Sequence, residues 1–220
     1  MNLKQKSAQA AFALIHNGMT IGLGGGTTIA YLSEMIAESN LDMKIVTPSL
    51  NTQLKLKELG LTCIPLNTCN HVDLAFDGCD EADENGYALK SGGGIHTAEK
   101  IIASMSDQYI LLIDESKLSP SLTFKHPVVI EVIADALEKV IQEVKAIGAQ
   151  VDLRRAPNKD GALRSDYGNI LLDAYFKPCD PETLYTALIK IVGVVEVSLF
   201  VYEVNQIMIA SDQGIRIITK

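Results

Sequence analysis

Residues 19–39, MTIGLGGGTTIAYLSEMIAES, read as a strand, a glycine loop and a helix in that order. Met19 to Leu23 is a short apolar run of the buried-strand type, broken by Gly24-Gly25-Gly26-Thr27-Thr28. Beyond it, Ile29, Leu32, Ile36 and Ala37 recur at helical spacing up to Ser39. Glycines at such a junction let the backbone turn sharply and approach a ligand closely. The freed N–H groups at the helix N-terminus suit a phosphate, and the two threonine hydroxyls can add hydrogen bonds. The same five residues equally suit a tight structural turn with Thr27 as a plain N-cap. Neither GxxxxGK[ST] nor G-x-G-x-x-G is present, so this is neither a Walker loop nor a dinucleotide fingerprint.

The alternation continues on both sides. A helix is expected over residues 3–16, ended by the turn signal Asn17-Gly18, and apolar runs at 41–47, 61–66, 72–76 and 109–113 read as strands. Helical spacing recurs at 52–59, closed by Gly60, and at 98–105. This order predicts an α/β fold: a layered, mostly parallel sheet with flanking helices. After residue 127 the pattern changes to strand 128–133, helix 134–147, strand 150–154, a polar turn over 156–161 and strand 169–176. A helix opened by Pro181 and a strand over 194–201 complete the set. That β-α-β-β-α-β order is ferredoxin-like. The expected division is therefore a main α/β domain of residues 1–127 plus 204–220 and a smaller α+β domain of residues 128–203. Residues 206–219 should return to the main sheet as a hairpin about Asp212-Gln213-Gly214.

Composition narrows the function classes. The 220 residues are long enough to bury a core without disulfides or a structural metal. A formal net charge of -8 argues against broad contact with nucleic acid or anionic lipid. It leaves room for a phosphorylated small molecule, because backbone N–H groups and one or two cations suffice for such a pocket. Cys63, Cys69, Cys79 and Cys179 lack CxxC spacing, and His16, His71, His96 and His126 lack HExxH or an evident partner, so no metal is expected. The N-terminal stretch reads as an amphipathic helix rather than a signal peptide, and no membrane span is found. A cytoplasmic protein is expected.

The chemistry concentrates in DGCDEADENGYALKSGGGIHTAEK, residues 77–100. Asp77-Gly78-Cys79-Asp80-Glu81 closes a strand, at the end where α/β sheets bind ligands. Asp77 and Asp80 could touch one ligand across Gly78, and crowding of like charges would raise the pKa of at least one. An acidic surface turn and a divalent-metal loop are the alternatives. Lys90-Ser91-Gly92-Gly93-Gly94 is a second glycine-rich bend, with Glu99 on the helix behind it. No capping box accounts for Glu99, and Lys100 points about 100° away from it on a helix. Lys117 follows the strand ending at Ile113, and His96 sits near the loop.

Taken in register, these pieces resemble the ribose-5-phosphate isomerase A family over nearly the full chain. The resemblance rests on Gly22-Leu23-Gly24-Gly25-Gly26-Thr27-Thr28, Asp77-Gly78-Cys79-Asp80-Glu81, Lys90-Ser91-Gly92-Gly93-Gly94, Thr97-Ala98-Glu99-Lys100-Ile101-Ile102-Ala103 and Ser116-Lys117. Downstream, Asp166-Tyr167-Gly168-Asn169-Ile170 and Ile191-Val192-Gly193-Val194-Val195-Glu196 extend it. It implies interconversion of D-ribose 5-phosphate and D-ribulose 5-phosphate without metal or organic cofactor, in the non-oxidative pentose phosphate pathway. By that likeness Glu99 is the base, Lys90 stabilises developing negative charge, and Asp77 and Asp80 handle the sugar's ring oxygen and hydroxyls. Gly25, Gly26, Thr27, Thr28, Ser49, Gly92, Gly93 and Lys117 join Asp77, Asp80 and Lys90 in contacting substrate. It also implies a homodimer or homotetramer.

The sequence departs from the family pattern at several points. The first loop commonly reads Gly-Thr-Gly-Ser-Thr, against Gly25 and Thr27 here. Cys79 and Gly94 each replace a common alanine, and Ser91 a common glycine. These departures leave every proposed acid, base and cation in place. Two other readings of the same residues are an isomerase of another phosphosugar, such as a hexose or allose 6-phosphate, and a non-catalytic sugar-phosphate sensor.

Overall fold

The structure, a computed structural model, describes residues 1–158 and 160–220. Helix α1 (Leu3–Phe12) opens on a reciprocal cap: Asn2 Oδ1 accepts from the Gln5 N–H at 2.9 Å, and Gln5 Oε1 accepts from the Asn2 N–H at 3.0 Å. Next come β1 (Thr20–Leu23), α2 (Thr27–Glu38), β2 (Lys44–Val46) and α3 (Leu50–Glu58). β3 (Val72–Asp77) leads into the short β4 (Glu81–Asp83) and β5 (Ala88–Leu89). They are followed by α4 (His96–Met105), β6 (Ser106–Asp114) and the two-residue β7 (Leu118–Ser119). The second half runs β8 (Val128–Val132), α5 (Leu137–Ala146), β9 (Gln150–Leu153), β10 (Ile170–Tyr175), α6 (Pro181–Ile189) and β11 (Val194–Val197). β12 (Leu199–Phe200), β13 (Gln206–Ser211) and β14 (Gly214–Thr219) end the chain.

The main sheet has the order β14-β13-β6-β3-β1-β2, parallel throughout except for the antiparallel β14. Its parallel part follows the doubly wound order in which the chain first builds to one side of β1 and then to the other. The crevice between the carboxyl ends of β1 and β3 is the topological switch point, where such sheets take ligands. Ile21, Leu23, Phe76 and Ile110 are buried on one face with α1 and α2, and Ala75, Tyr109 and Leu111 on the other with α4. Each large apolar side chain so buried contributes about 1.5–3 kcal/mol.

Residues 128–203 hold a second, four-stranded antiparallel sheet, β11-β8-β10-β9, the ferredoxin-like arrangement. Leu89, Leu122, Phe124, Leu199 and Val201 join its core. Helix α6 starts as its sequence foretells, with Pro181 in the first turn and Asp180 accepting from the Thr183 N–H at 2.8 Å.

Several boundaries differ from the sequence expectation. The first helix stops at Phe12 rather than residue 16. Residues 61–66 form no strand: Cys63 makes one isolated bridge to Ile45, and Pro65, which lacks an N–H for a ladder, leads into a 3-10 turn. The helix expected from 134 begins with a 3-10 turn and becomes α-helical at Leu137. The run 194–201 divides at the fully buried Ser198, which pairs with Val129 through its N–H and hydroxyl and accepts from the Lys90 N–H at 3.0 Å. Leu199 and Phe200 thereby join a third small sheet, β12-β5-β4-β7, absent from the sequence reading. Of the turn expected over 156–161, Lys159 lies outside the described residues.

Candidate active site

The carboxyl ends of β1, β2 and β3 and the loop before α4 enclose a cleft of about 320 Å³, within the usual range for a small-molecule site. Gly25, Gly26, Ser49, Asp77, Asp80, Lys90, Gly92, Gly93, Glu99 and Lys117 all line it, with Asn51, Gly78, Cys79 and Ile95. Residues far apart in sequence therefore meet at the switch point.

Asp77 ends β3 and is 3% exposed. Its Oδ1 accepts from the N–H groups of Gly25 at 3.2 Å and Gly78 at 2.8 Å, and its Oδ2 from the Tyr109 hydroxyl at 2.9 Å. Gly24 is required beside it, because a Cβ there would overlap the Asp77 carboxyl group. Gly24→Ala is expected to displace that carboxylate and lower kcat roughly 10²-fold, and to cost about 1–3 kcal/mol from overpacking. Steady-state rates and a thermal melt check both, and unchanged kcat in the folded variant contradicts the expectation.

Lys90 follows β5 and reaches across the cleft. Its Nζ lies 3.0 Å from Asp77 Oδ2 and 3.3 Å from Glu99 Oε1, and it donates to the Gly78 carbonyl. Burial works against its charge, but Asp77 and then Glu99 outweigh burial and hold its pKa above the ordinary lysine value. Glu99 sits in the first turn of α4, 6% exposed. Burial pushes its pKa up to about 8; Lys90 pulls it down and Asp77 adds to the rise. A carboxyl group so placed can take or give a proton near neutral pH. Tyr109 is pushed well above its usual value by burial and then by Asp77, so it stays a neutral donor.

Asp80 Oδ2 accepts from the Gly92 N–H at 2.9 Å, tying the acidic turn to the second glycine loop. Lys117 donates to the Cys79 carbonyl at 2.6 Å. The Cys79 thiol is pushed up to about 12 by burial and is neutral. Gly26, with φ 90°, is the N-cap of α2 and has no side-chain cap, so Thr27 is the first helical residue and not the cap. Thr27 is exposed at the helix N-terminus, where backbone N–H groups await an acceptor. Thr28 faces a small recess with Lys4, Ser7, Asp114 and Lys117 rather than the main cleft.

Some sequence readings change. Glu81 turns away from Asp77 and Asp80 and accepts from the Thr123 N–H beneath β4. His96 is fully buried with Nε2 3.3 Å from the Glu196 carbonyl, and burial lowers its pKa to about 4. It does not line the cleft. His71, read without a partner, lies 3.5 Å from Asp73 and 3.6 Å from Asp107, towards the opposite end of β3. Asn51 and Ile95 also line the cleft, the Tyr109 hydroxyl meets Asp77, and Lys4 lines the recess beside Thr28. In the sequence Tyr109 is one more strand residue and Lys4 one more charge on the first helix, so neither carries a local signal.

A doubly wound sheet with a buried carboxylate–lysine–carboxylate cluster at its switch point defines an α/β enzyme of the acid–base kind. The model of ribose 5-phosphate isomerase A (phosphoriboisomerase A) matches residues 44–214. This chain belongs to the ribose 5-phosphate isomerase A family. It is 37% identical over 216 residues to ribose-5-phosphate isomerase A of Prochlorococcus marinus (strain MIT 9211), spanning 94% of this chain and 90% of that one. The protein of that name from Methanosarcina acetivorans is also 37% identical, over 99% of this chain and 94% of its own. The solved ribose 5-phosphate isomerase A of Methanocaldococcus jannaschii superposes with a TM-score of 0.92 at 31% identity, covering 99% of this chain and 98% of that one. A D-ribose-5-phosphate isomerase solved with phospho-erythronic acid superposes with a TM-score of 0.93 at 33% identity, over 100% of both chains. The DeoR C terminal sensor domain model matches only residues 1–66, short of Asp77, Lys90 and Glu99. No helix among the described residues is long and apolar enough to cross a membrane.

Proposed function

We propose that this protein interconverts D-ribose 5-phosphate and D-ribulose 5-phosphate, in the non-oxidative pentose phosphate pathway, through an enediolate. The observation that carries the reading is Lys90 held 3.0 Å from Asp77 and 3.3 Å from Glu99 within one cleft. Asp80 assists opening of the sugar ring and Asp77 positions hydroxyls. Glu99 then takes the proton from C2 of the open aldose. The C2–H electrons form the C1–C2 double bond, and the C1 carbonyl oxygen becomes the oxyanion that Lys90 and nearby N–H groups stabilise. Glu99 returns the proton to C1, while O2 becomes the new carbonyl and its hydroxyl proton passes to O1. The phospho-erythronic acid held by the solved relative supports this reading, since a phosphorylated sugar acid carries both the phosphate and the carboxylate charge that resemble a phosphosugar enediolate.

Gly25, Gly26, Thr27, Thr28, Ser49, Gly92, Gly93 and Lys117 are proposed to hold the substrate, with Lys4 added beside Thr28 for the phosphate. Anchoring that remote group holds C1 and C2 in register for the base. Lys117→Ala is expected to raise KM about tenfold or more, as for a hydrogen bond to a charged group, with kcat changed much less. Initial-rate kinetics check this, and a fall in kcat at constant KM speaks against it. We also read the protein as a cytoplasmic homodimer or homotetramer that works without a metal. The division into residues 1–127 plus 204–220 and residues 128–203 is supported by the separate four-stranded sheet of the latter.

The test is conversion of ribose 5-phosphate by the purified protein beside a panel of hexose and allose 6-phosphates, with and without chelator. Turnover of the pentose at the highest kcat/KM supports the reading. Preference for a hexose phosphate, or binding without turnover, overturns it.

A further inference from the structure

Residues 90–99 carry both Lys90 and Glu99, and this segment is poorly fixed by its own sequence. Gly93 and Gly94 have φ 42° and 71°, backbone freedom that a free loop spends on many conformations. The N-cap of helix α4 is Ile95, which offers no side-chain cap, so the helix's first N–H groups gain no local side-chain anchor. Beside the Ser91 hydroxyl on the Pro127 carbonyl, the Gly92 N–H on Asp80 and the contacts of Lys90 itself, the segment is held from the smaller sheet. Arg154, just after β9, donates through Nη2 to the Ser91 carbonyl at 2.7 Å, and its Nη1 lies 3.5 Å from the Gly92 carbonyl. Its guanidinium is in turn clamped by Asp173 of β10, at 2.8 Å from Nε and 2.6 Å from Nη2. Six residues beyond Ser91, the Thr97 hydroxyl donates to Glu131 of β8, which is 1% exposed. The same carboxylate accepts from Ser165 Oγ at 2.6 Å and Asn169 Nδ2 at 2.8 Å.

None of Arg154, Glu131 and Thr97 lines the cleft. A buried carboxylate and a largely buried guanidinium are weak contributors to stability compared with apolar residues of similar size. Their partners, however, stand at the two ends of the segment that bears the cation and the base. Through Ser91 and Gly92, Arg154 also bears on the Gly92 N–H that meets Asp80. We infer that Arg154 and Glu131 are positioning residues: the smaller sheet uses them to set Lys90 and Glu99 against the substrate, gripping Ser91 at one end and Thr97 at the other. The inference rests on the proposed roles of Lys90 and Glu99. It makes the smaller sheet part of the catalytic device.

The test compares Thr97→Val, Thr97→Ser and Arg154→Met with the parent in steady-state isomerisation of ribose 5-phosphate, each variant's melting temperature being measured. Thr97→Val keeps shape and removes the hydroxyl that Glu131 accepts from; Thr97→Ser restores the hydroxyl. Thr97→Val and Arg154→Met are expected to lower kcat about 10- to 100-fold through misplacement of reacting groups. KM stays within about threefold, since the phosphate seat is untouched. Thr97→Ser should recover most of the rate, which a role in stability alone does not require. Folded Thr97→Val and Arg154→Met with parental kcat overturn the inference, as does a Thr97→Ser variant as slow as Thr97→Val. Glu99→Gln assayed alongside separates the two levels. If it is inactive while Thr97→Val is fast, the inference falls and the site reading stands; if it is fully active, both fall.

Discussion

Glu99→Gln is expected to lose about 10²–10⁴-fold in kcat, the usual range for a general base, without losing stability. Glutamine keeps the shape of the side chain and its place 3.3 Å from Lys90 Nζ, but cannot shuttle a proton. The stability half follows from the raised pKa. Burial lifts Glu99 from 4.5 to about 8, so between those values the folded chain binds the proton more tightly than the unfolded one. Its contribution to stability is therefore present at low pH and is lost as pH rises through about 8. A neutral glutamine escapes that loss, so the variant's Tm should gain on the parent's between pH 5 and pH 8.5. The parent's kcat/KM for the aldose should rise with pH through a midpoint near 8 as Glu99 loses its proton. Rates and melts across that range check both halves. Near-parental kcat in Glu99→Gln removes Glu99 as the base, and a flat profile from pH 6 to 9 removes the raised pKa from the mechanism.

The strand–loop–helix order was legible because strands buried on both faces leave apolar runs, Ile110 to Ile113 in the parallel sheet and Val128 to Ile130 in the antiparallel one. The cleft's charges were legible because Asp77 and Asp80 fall at or just past the end of β3 and Lys117 just past β6, where the backbone delivers them to one end of the molecule, while Lys90 opens a glycine-rich bend. What stayed hidden has no local signal. β5, β7 and β12 have two residues each, too few for any period, and β5 and β12 are fixed by pairings with partners far along the chain, such as Lys90 with Ser198. The directions of Glu81 and His96 depend on what packs over them, Thr123 and Glu196, and spacing along the chain says nothing of either. Tyr109 reads as core because it is core; only the neighbouring strand shows that its hydroxyl meets Asp77.

Lys90→Met is the harsher change, because it removes the cation that, among the described residues, two buried carboxylates share. Asp77, 3% exposed, would then keep its charge with no countercharge, beside a Glu99 that holds its proton more tightly. Breaking a buried pair in this way costs about 3–5 kcal/mol, or roughly 6–20 °C in Tm at this chain length. The enediolate oxygen loses its electrostatic partner as well, a loss of about 10²–10³-fold in kcat by analogy with removal of an oxyanion donor. A third consequence distinguishes this change from general damage. Lys90 is what lowers the Glu99 pKa against burial and Asp77, so its loss should move the midpoint of the residual activity to higher pH. Adding Asp77→Asn to Lys90→Met removes the uncompensated charge and should recover part of the Tm while restoring none of the rate. Stability and catalysis would thus part company within one cluster. A single Lys90→Met variant with parental Tm, or a double variant that regains rate along with stability, would show that Lys90 serves the fold alone.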